Sequence, residues 1–89
     1  MKVKGTHQGK AVEVEYTEEM ARKLMDGAAA VAQTSKSTRI AAKFAAEASE
    51  WQRVIVNPEI INSEEYAALR QAYINDALFD EARFDAMFQ

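Results

Sequence analysis

The chain has 89 residues, no cysteine and a formal net charge of -3, which describes one small domain spanning residues 1–89 and excludes disulfide staples, thiolate metal sites and cysteine nucleophiles. The charge is uneven: residues 1–58 hold nine Lys/Arg against seven Asp/Glu, whereas residues 59–89 hold two against seven. A near-neutral body with an acidic tail argues against general nucleic-acid binding, which needs a basic face, and suits a basic partner instead.

Residues 1–16 read as a β-hairpin. Val3 precedes a turn over Gly5-Thr6-His7-Gln8-Gly9, and Ala11-Val12-Glu13-Val14-Glu15-Tyr16 then alternates apolar and charged side chains. A lone hairpin is unstable in water, so it must lie on helices or pair with another chain. Thr17-Glu18-Glu19 is a helix start, with a hydroxyl to accept from free N–H groups and two carboxylates at the positive end of the dipole. Met20, Ala21, Leu24, Met25, Ala28, Ala29 and Ala32 follow as a stripe at helical spacing, and Gly27 within it suggests a close helix crossing.

The polar break Thr34-Ser35-Lys36-Ser37-Thr38-Arg39 supplies Ser35 or Ser37 to cap a second helix. Its apolar stripe is Ile40, Ala41, Phe44, Ala45, Ala48, Trp51 and Ile55. So short a connection makes the two helices antiparallel neighbours, a helical hairpin over residues 17–56.

Asn57-Pro58 stops the second helix, because the residue before proline is pushed out of helical space. Residues 57–89 then form an acidic helical segment. Glu59-Ile60-Ile61 reads as a linker, and Asn62 with Glu65 reads as a capping box. A helix bearing Tyr66, Leu69, Tyr73 and Ala77 on one side follows, and Asp80 caps a short last helix over 81–88. The expected fold is mainly α: a short N-terminal β-hairpin, an antiparallel helical hairpin and one or two C-terminal helices.

Two surfaces stand out as candidate sites. The first is the break itself, where Ser35, Lys36, Ser37 and Arg39 gather hydroxyls, cations and fresh N–H groups that suit phosphate; an ordinary capped loop has the same composition. The second is the C-terminus, where Asp80, Glu81 and Asp85 interleave with Phe84 and Phe88, and with Phe79 and Met87 nearby. So much terminal apolar surface either packs on the helical hairpin or meets a partner. His7, the one histidine, reads as an exposed turn residue with no companion ligand for a metal. No nucleophile–base pair, metal set or cofactor loop is evident, so neither catalysis nor a cofactor is expected. A small chain with no staple often completes its core by oligomerising. No apolar stretch is long enough to span a bilayer, and no signal-peptide core follows Met1, so a cytoplasmic location is expected.

From Ser35 to Val56 the chain reads Ser-Lys-Ser-Thr-Arg-Ile-Ala-Ala-Lys-Phe-Ala-Ala-Glu-Ala-Ser-Glu-Trp-Gln-Arg-Val-Ile-Val. This segment resembles the second helix of the helical-hairpin domain in phage anti-CBASS and anti-Thoeris sponge proteins. Ser35, Lys36 and Arg39 occupy the loop, and Glu47-Ala48-Ser49-Glu50-Trp51 follows the family's Glu-Ala-x-x-Trp pattern. The resemblance implies an oligomeric phage protein that sequesters a cyclic nucleotide signal of bacterial immunity. The ligand would sit against Ser35, Lys36, Ser37 and Arg39, with Tyr16 or Trp51 stacking on a base. Two other functions fit the residues: an inhibitor or adaptor that grips a host protein through its acidic, aromatic C-terminal helices, or a structural oligomer subunit.

Overall fold

Strands β1 (Lys2–His7) and β2 (Lys10–Glu15) open the chain as an antiparallel hairpin in a computed structural model that describes residues 1–89. Val3 pairs with Val14 and Gly5 with Val12, which puts the valines on one face. The turn is only Gln8 and Gly9, with φ of 53° and 79°. Two successive residues in that region match the twist of the strands they join. The longer turn expected from Gly5 is therefore corrected, since Gly5, Thr6 and His7 belong to β1. Gly5 serves contact instead of turning: a Cβ there would stand 2.5 Å from Ile74 Cδ1 of the helix covering the strands. His7 is half-buried, and its Nδ1 lies 3.4 Å from Asn75 Oδ1, which corrects its reading as an exposed turn residue.

Helices α1 (Glu18–Thr34) and α2 (Thr38–Val56) form the antiparallel helical hairpin. Thr17 Oγ1 accepts from Met20 N at 3.3 Å to start α1, and Ser37 Oγ accepts from Ile40 N at 3.3 Å to start α2. Each hydroxyl satisfies one of the N–H groups that a helix start leaves free. The expected α1 stripe is the inner face, with Ala21 and Ala28 buried and Met20, Leu24, Met25, Ala29 and Ala32 half-buried. The α2 stripe holds only in part. Trp51 and Ile55 are buried, but Ile40 and Ala45 are exposed, because nothing covers that end of the pair. Gly27 faces open space, so its expected close helix crossing is also corrected.

After α2 the chain makes two 3-10 turns, Pro58–Asn62 and Glu64–Tyr66, before α3 (Ala67–Ala77) and α4 (Glu81–Met87). The capping box expected from Asn62 and Glu65 does not form, since neither turn carries a side-chain cap. The Asn62 amide goes to β1, accepting from Lys4 N at 3.2 Å and donating to Lys2 O at 3.0 Å. It thereby stands in for a third strand on an edge whose backbone groups would otherwise lack protein partners. Arg70 Nη1 donates to Ile61 O and Ser63 O, at 3.3 and 3.0 Å, and ties both turns to α3. Ile61, read as a linker residue, is a fully enclosed part of the core.

The core gathers Val3 and Val14 from the strands, Ala21 from α1, Trp51, Val54 and Ile55 from α2, Ile61 and Tyr66 from the turns, and Leu69, Tyr73 and Ile74 from α3. Tyr73 sits at its centre. Its ring stacks on Tyr16 with centroids 5.7 Å apart and tilts against Trp51 at 6.4 Å. Its hydroxyl donates to Glu15 O at 2.7 Å and accepts from Thr17 N at 2.8 Å, so one side chain from α3 pins the junction of β2 and α1. The Tyr16 hydroxyl, by contrast, is buried without a hydrogen-bond partner. Burial first, then the neighbouring Tyr73 phenol and Glu18, holds its proton above the ordinary tyrosine range.

Two conservative substitutions separate these hydroxyls. Tyr73→Phe keeps the ring and strands Thr17 N–H and Glu15 C=O, so urea unfolding should show a loss of roughly 1–3 kcal/mol at unchanged slope. Tyr16→Phe removes only an unpaired group and should be neutral or stabilising. Its advantage should grow as pH rises through the tyrosine range: folding raises the Tyr16 pKa, so wild-type stability is complete below the unfolded value and declines above it. Equal losses from the two variants would contradict this division of roles.

Candidate functional site

At the tip of the helical hairpin, the hydroxyls are occupied by the loop itself. Thr34 Oγ1 donates to Ala30 O at 2.8 Å, Ser35 Oγ accepts from Ser37 N at 3.2 Å, and Ser37 Oγ caps α2. These bonds close the three-residue connection and align the start of α2. Lys36 and Arg39 remain exposed, and neither has an ion-pair partner in the chain. Residues 34–41 line no cavity.

The structure does not bring Tyr16 or Trp51 to this tip. Trp51 lies about 20 Å farther along α2 than Thr38, at ~1.5 Å per residue, and is 1% exposed. Tyr16 precedes the start of α1, at the opposite end of the same hairpin, with its ring against Tyr73. Trp51 belongs to the core and Tyr16 packs against it, so neither ring can stack on a base held at Lys36 and Arg39 of the same chain. The sequence places Trp51 on the inner stripe of α2, and burial follows from that face, which a motif-based assignment overlooks.

The second candidate region is brought together. Asp80 Oδ1 accepts from Arg83 N at 3.2 Å and starts α4, while Phe84 N donates to Asp80 O at 3.0 Å. Phe84 and Phe88 lie one turn apart with ring centroids at 4.8 Å, and Phe79 joins them at 5.4 Å from Phe84. The rings form a ladder along one side of the helix, with tilted contacts of the kind aromatic pairs prefer. Asp80, Glu81 and Asp85 are exposed and make no ion pair. Asp76 near the end of α3, by contrast, forms an ion pair with Lys23 at 3.7 Å. No three of the acidic and histidine groups converge closely enough to hold a metal ion.

Between α4 and the body runs an open groove of about 570 Å³, walled by His7 at the end of β1, Gln8 of the β-turn, Asn75 of α3, and Phe84 and Met87 of α4. His7 and Gln8 escape a reading of the sequence, because only the packing of β1 on α3 carries the β-turn to this end of the molecule. Compared with protein-family models, curated proteins and solved structures, the chain matches none of them. The likeness of residues 35–56 to sponge hairpins therefore rests on those residues alone.

The tip offers a direct check on its role. Ser37→Ala removes the cap of α2 and should destabilise the fold by about 1 kcal/mol. Because Lys36 and Arg39 are unpaired, replacing both with alanine should leave the thermal midpoint within a few degrees of wild type. A large loss in the double alanine variant would show that these cations hold the loop together and are not free for a ligand.

Proposed function

We propose that this chain is a protein-binding module that presents α4, with its aromatic ladder and free carboxylates, to a basic and apolar surface on a partner. The carrying observation is that α4 buries none of its residues, with Met87 and Phe88 about three-quarters exposed (76% and 74%). Exposed apolar surface of this extent, rimmed by charge, is what a partner contact requires. Nothing in this reading needs catalysis; the chain acts by occupancy, as an inhibitor or adaptor. No helix is long and apolar enough to cross a membrane.

Capture of a cyclic nucleotide, implied by the local likeness to sponge hairpins, is the second proposal. The unpaired cations Lys36 and Arg39 favour it. In that case the stacking surface would come from a second chain, because Trp51 and Tyr16 are committed to the core.

Site-specific photocrosslinking in cells tests the first proposal. A photoreactive phenylalanine analogue at position 88 should yield discrete protein adducts, and the same probe at exposed Val56 should not. Phe84→Asp should abolish the adducts while the circular dichroism spectrum of the purified chain keeps its helical signal. Adducts that are equally abundant at both positions, or that survive Phe84→Asp, would sink the reading.

A further inference from the structure

The helical hairpin is longer than the core it covers. No residue between Met25 and Trp51 belongs to the core or packs against it. Only Ala28 in that span is buried, between the two helices. The far half of the hairpin, residues 27–46, is thus a two-helix arm whose outer sides are open except where Lys43 and Ala46 line a shallow pocket with Ala68 and Leu69 of α3. Val31 and Ile40 are exposed there, at 37% and 41%, beside a run of alanines. Two helices alone bury little of each other, and an amphipathic pair normally closes its apolar side against further elements.

The charge of this arm is one-sided. Residues 27–46 contain Lys36, Arg39 and Lys43 and no carboxylate. None of the three cations has an ion-pair partner. The tail beyond α3 has the opposite character, with Asp80, Glu81 and Asp85 against the single cation Arg83, and none of its carboxylates is ion-paired. The chain therefore carries two incomplete surfaces, one basic and apolar, the other acidic and aromatic. They do not meet within one molecule, since α4 does not pack along α1 or α2.

We infer that α4 of one copy docks across the far half of the helical hairpin of a second copy. The sizes agree: α4 is about 10 Å long, and the arm offers about 12 Å of α1 beyond Gly27, at ~1.5 Å per residue. Phe79, Phe84 and Phe88 are half to three-quarters exposed, and each ring offers roughly 150–250 Å² in full. A two-fold arrangement makes the contact twice, so the area buried on both partners passes the roughly 1,000 Å² that a specific interface needs. Glu81 and Asp85 come to face Lys36, Arg39 and Lys43, which sets the orientation and speeds the encounter.

The inference rests on the reading of α4 as the binding element and names its partner as this chain itself. A charge exchange tests it. Sedimentation velocity of the 89-residue chain should show a reversible dimer at micromolar concentration that weakens as salt rises. A hairpin variant, Lys36→Glu with Arg39→Glu and Lys43→Glu, makes both surfaces acidic. A tail variant, Glu81→Lys with Asp85→Lys, makes both basic and spares the Asp80 cap. Each alone should associate at least about tenfold more weakly than wild type, and an equimolar mixture should regain the dimer, because both contacts of the mixed pair are again complementary. Phe88→Asp, on a side chain about three-quarters exposed just past the end of α4, should also give a monomer, with the helical circular dichroism signal of the chain retained. A wild-type monomer at high micromolar protein, a dimer indifferent to both reversals, or a mixture that stays monomeric overturns the inference. Continued crosslinking from position 88 to a different protein, with the chain monomeric, would overturn self-docking and leave the binding role of α4 standing.

Discussion

The fold turns on the Tyr73 hydroxyl. It bonds the carbonyl of Glu15 and the amide of Thr17 at once, across the point where strand becomes helix. Those two backbone groups leave the ladder of β2 at its last residue and precede the first turn of α1, so neither regular element can satisfy them. A side chain from α3 does so instead, and in reaching them its ring enters the space between Tyr16 and Trp51. One residue thus fixes the β-hairpin, the base of the helical hairpin and α3 relative to each other. Asn62 and Arg70 repeat the device on a smaller scale, tying irregular backbone to β1 and α3.

Concentrating the core at this junction leaves the two ends of the molecule uncovered. Only 12 of 89 residues are buried, all of them hydrophobic and nearly all at the junction. A core so small stabilises the base of the helical hairpin well and its far half poorly, because burial of apolar area is the main favourable term in folding. The far half keeps its helical form through Ser37 and the closed turn, with Val31 and Ile40 left in water. At the other end, Asp80 fixes the start of α4 and the aromatic ladder stiffens it, with no burial behind it. Order without burial at both ends is what relates the fold to the proposed binding.

Much of this architecture is legible in local sequence. Thr17 and Asp80 announce helix starts by residue type and position, Ser35 and Ser37 narrow the start of α2 to two positions, Asn57-Pro58 announces a stop, and the alanine-rich spacing of α1 marks its inner face. These features depend on neighbours within a turn of helix. What sequence spacing misses is long-range. Tyr73 meets Thr17 across 56 positions, and Asn62 meets Lys2 across 60. Asn62 looks like a cap because its neighbours suit one, yet a strand edge without backbone partners takes its amide. The resemblance to sponge hairpins offers Trp51 to a ligand, yet its place on the inner stripe of α2 commits it to the core. The aromatic ladder of α4 is visible in the sequence, while the groove beside it depends on a β-turn from the other end of the chain.

The claim that joins these points is that the junction around Tyr73 is complete in one chain, whereas the far half of the helical hairpin and α4 are completed by another. Hydrogen exchange of backbone amides, followed by mass spectrometry at low and high protein concentration, tests this most directly. At short labelling times, where exchange reports local opening, protection should rise with concentration in residues 27–46 and 79–88 together, and should stay constant around Thr17 and in α3. Protection that rises in only one of the two segments, or that rises uniformly through the junction, would contradict it.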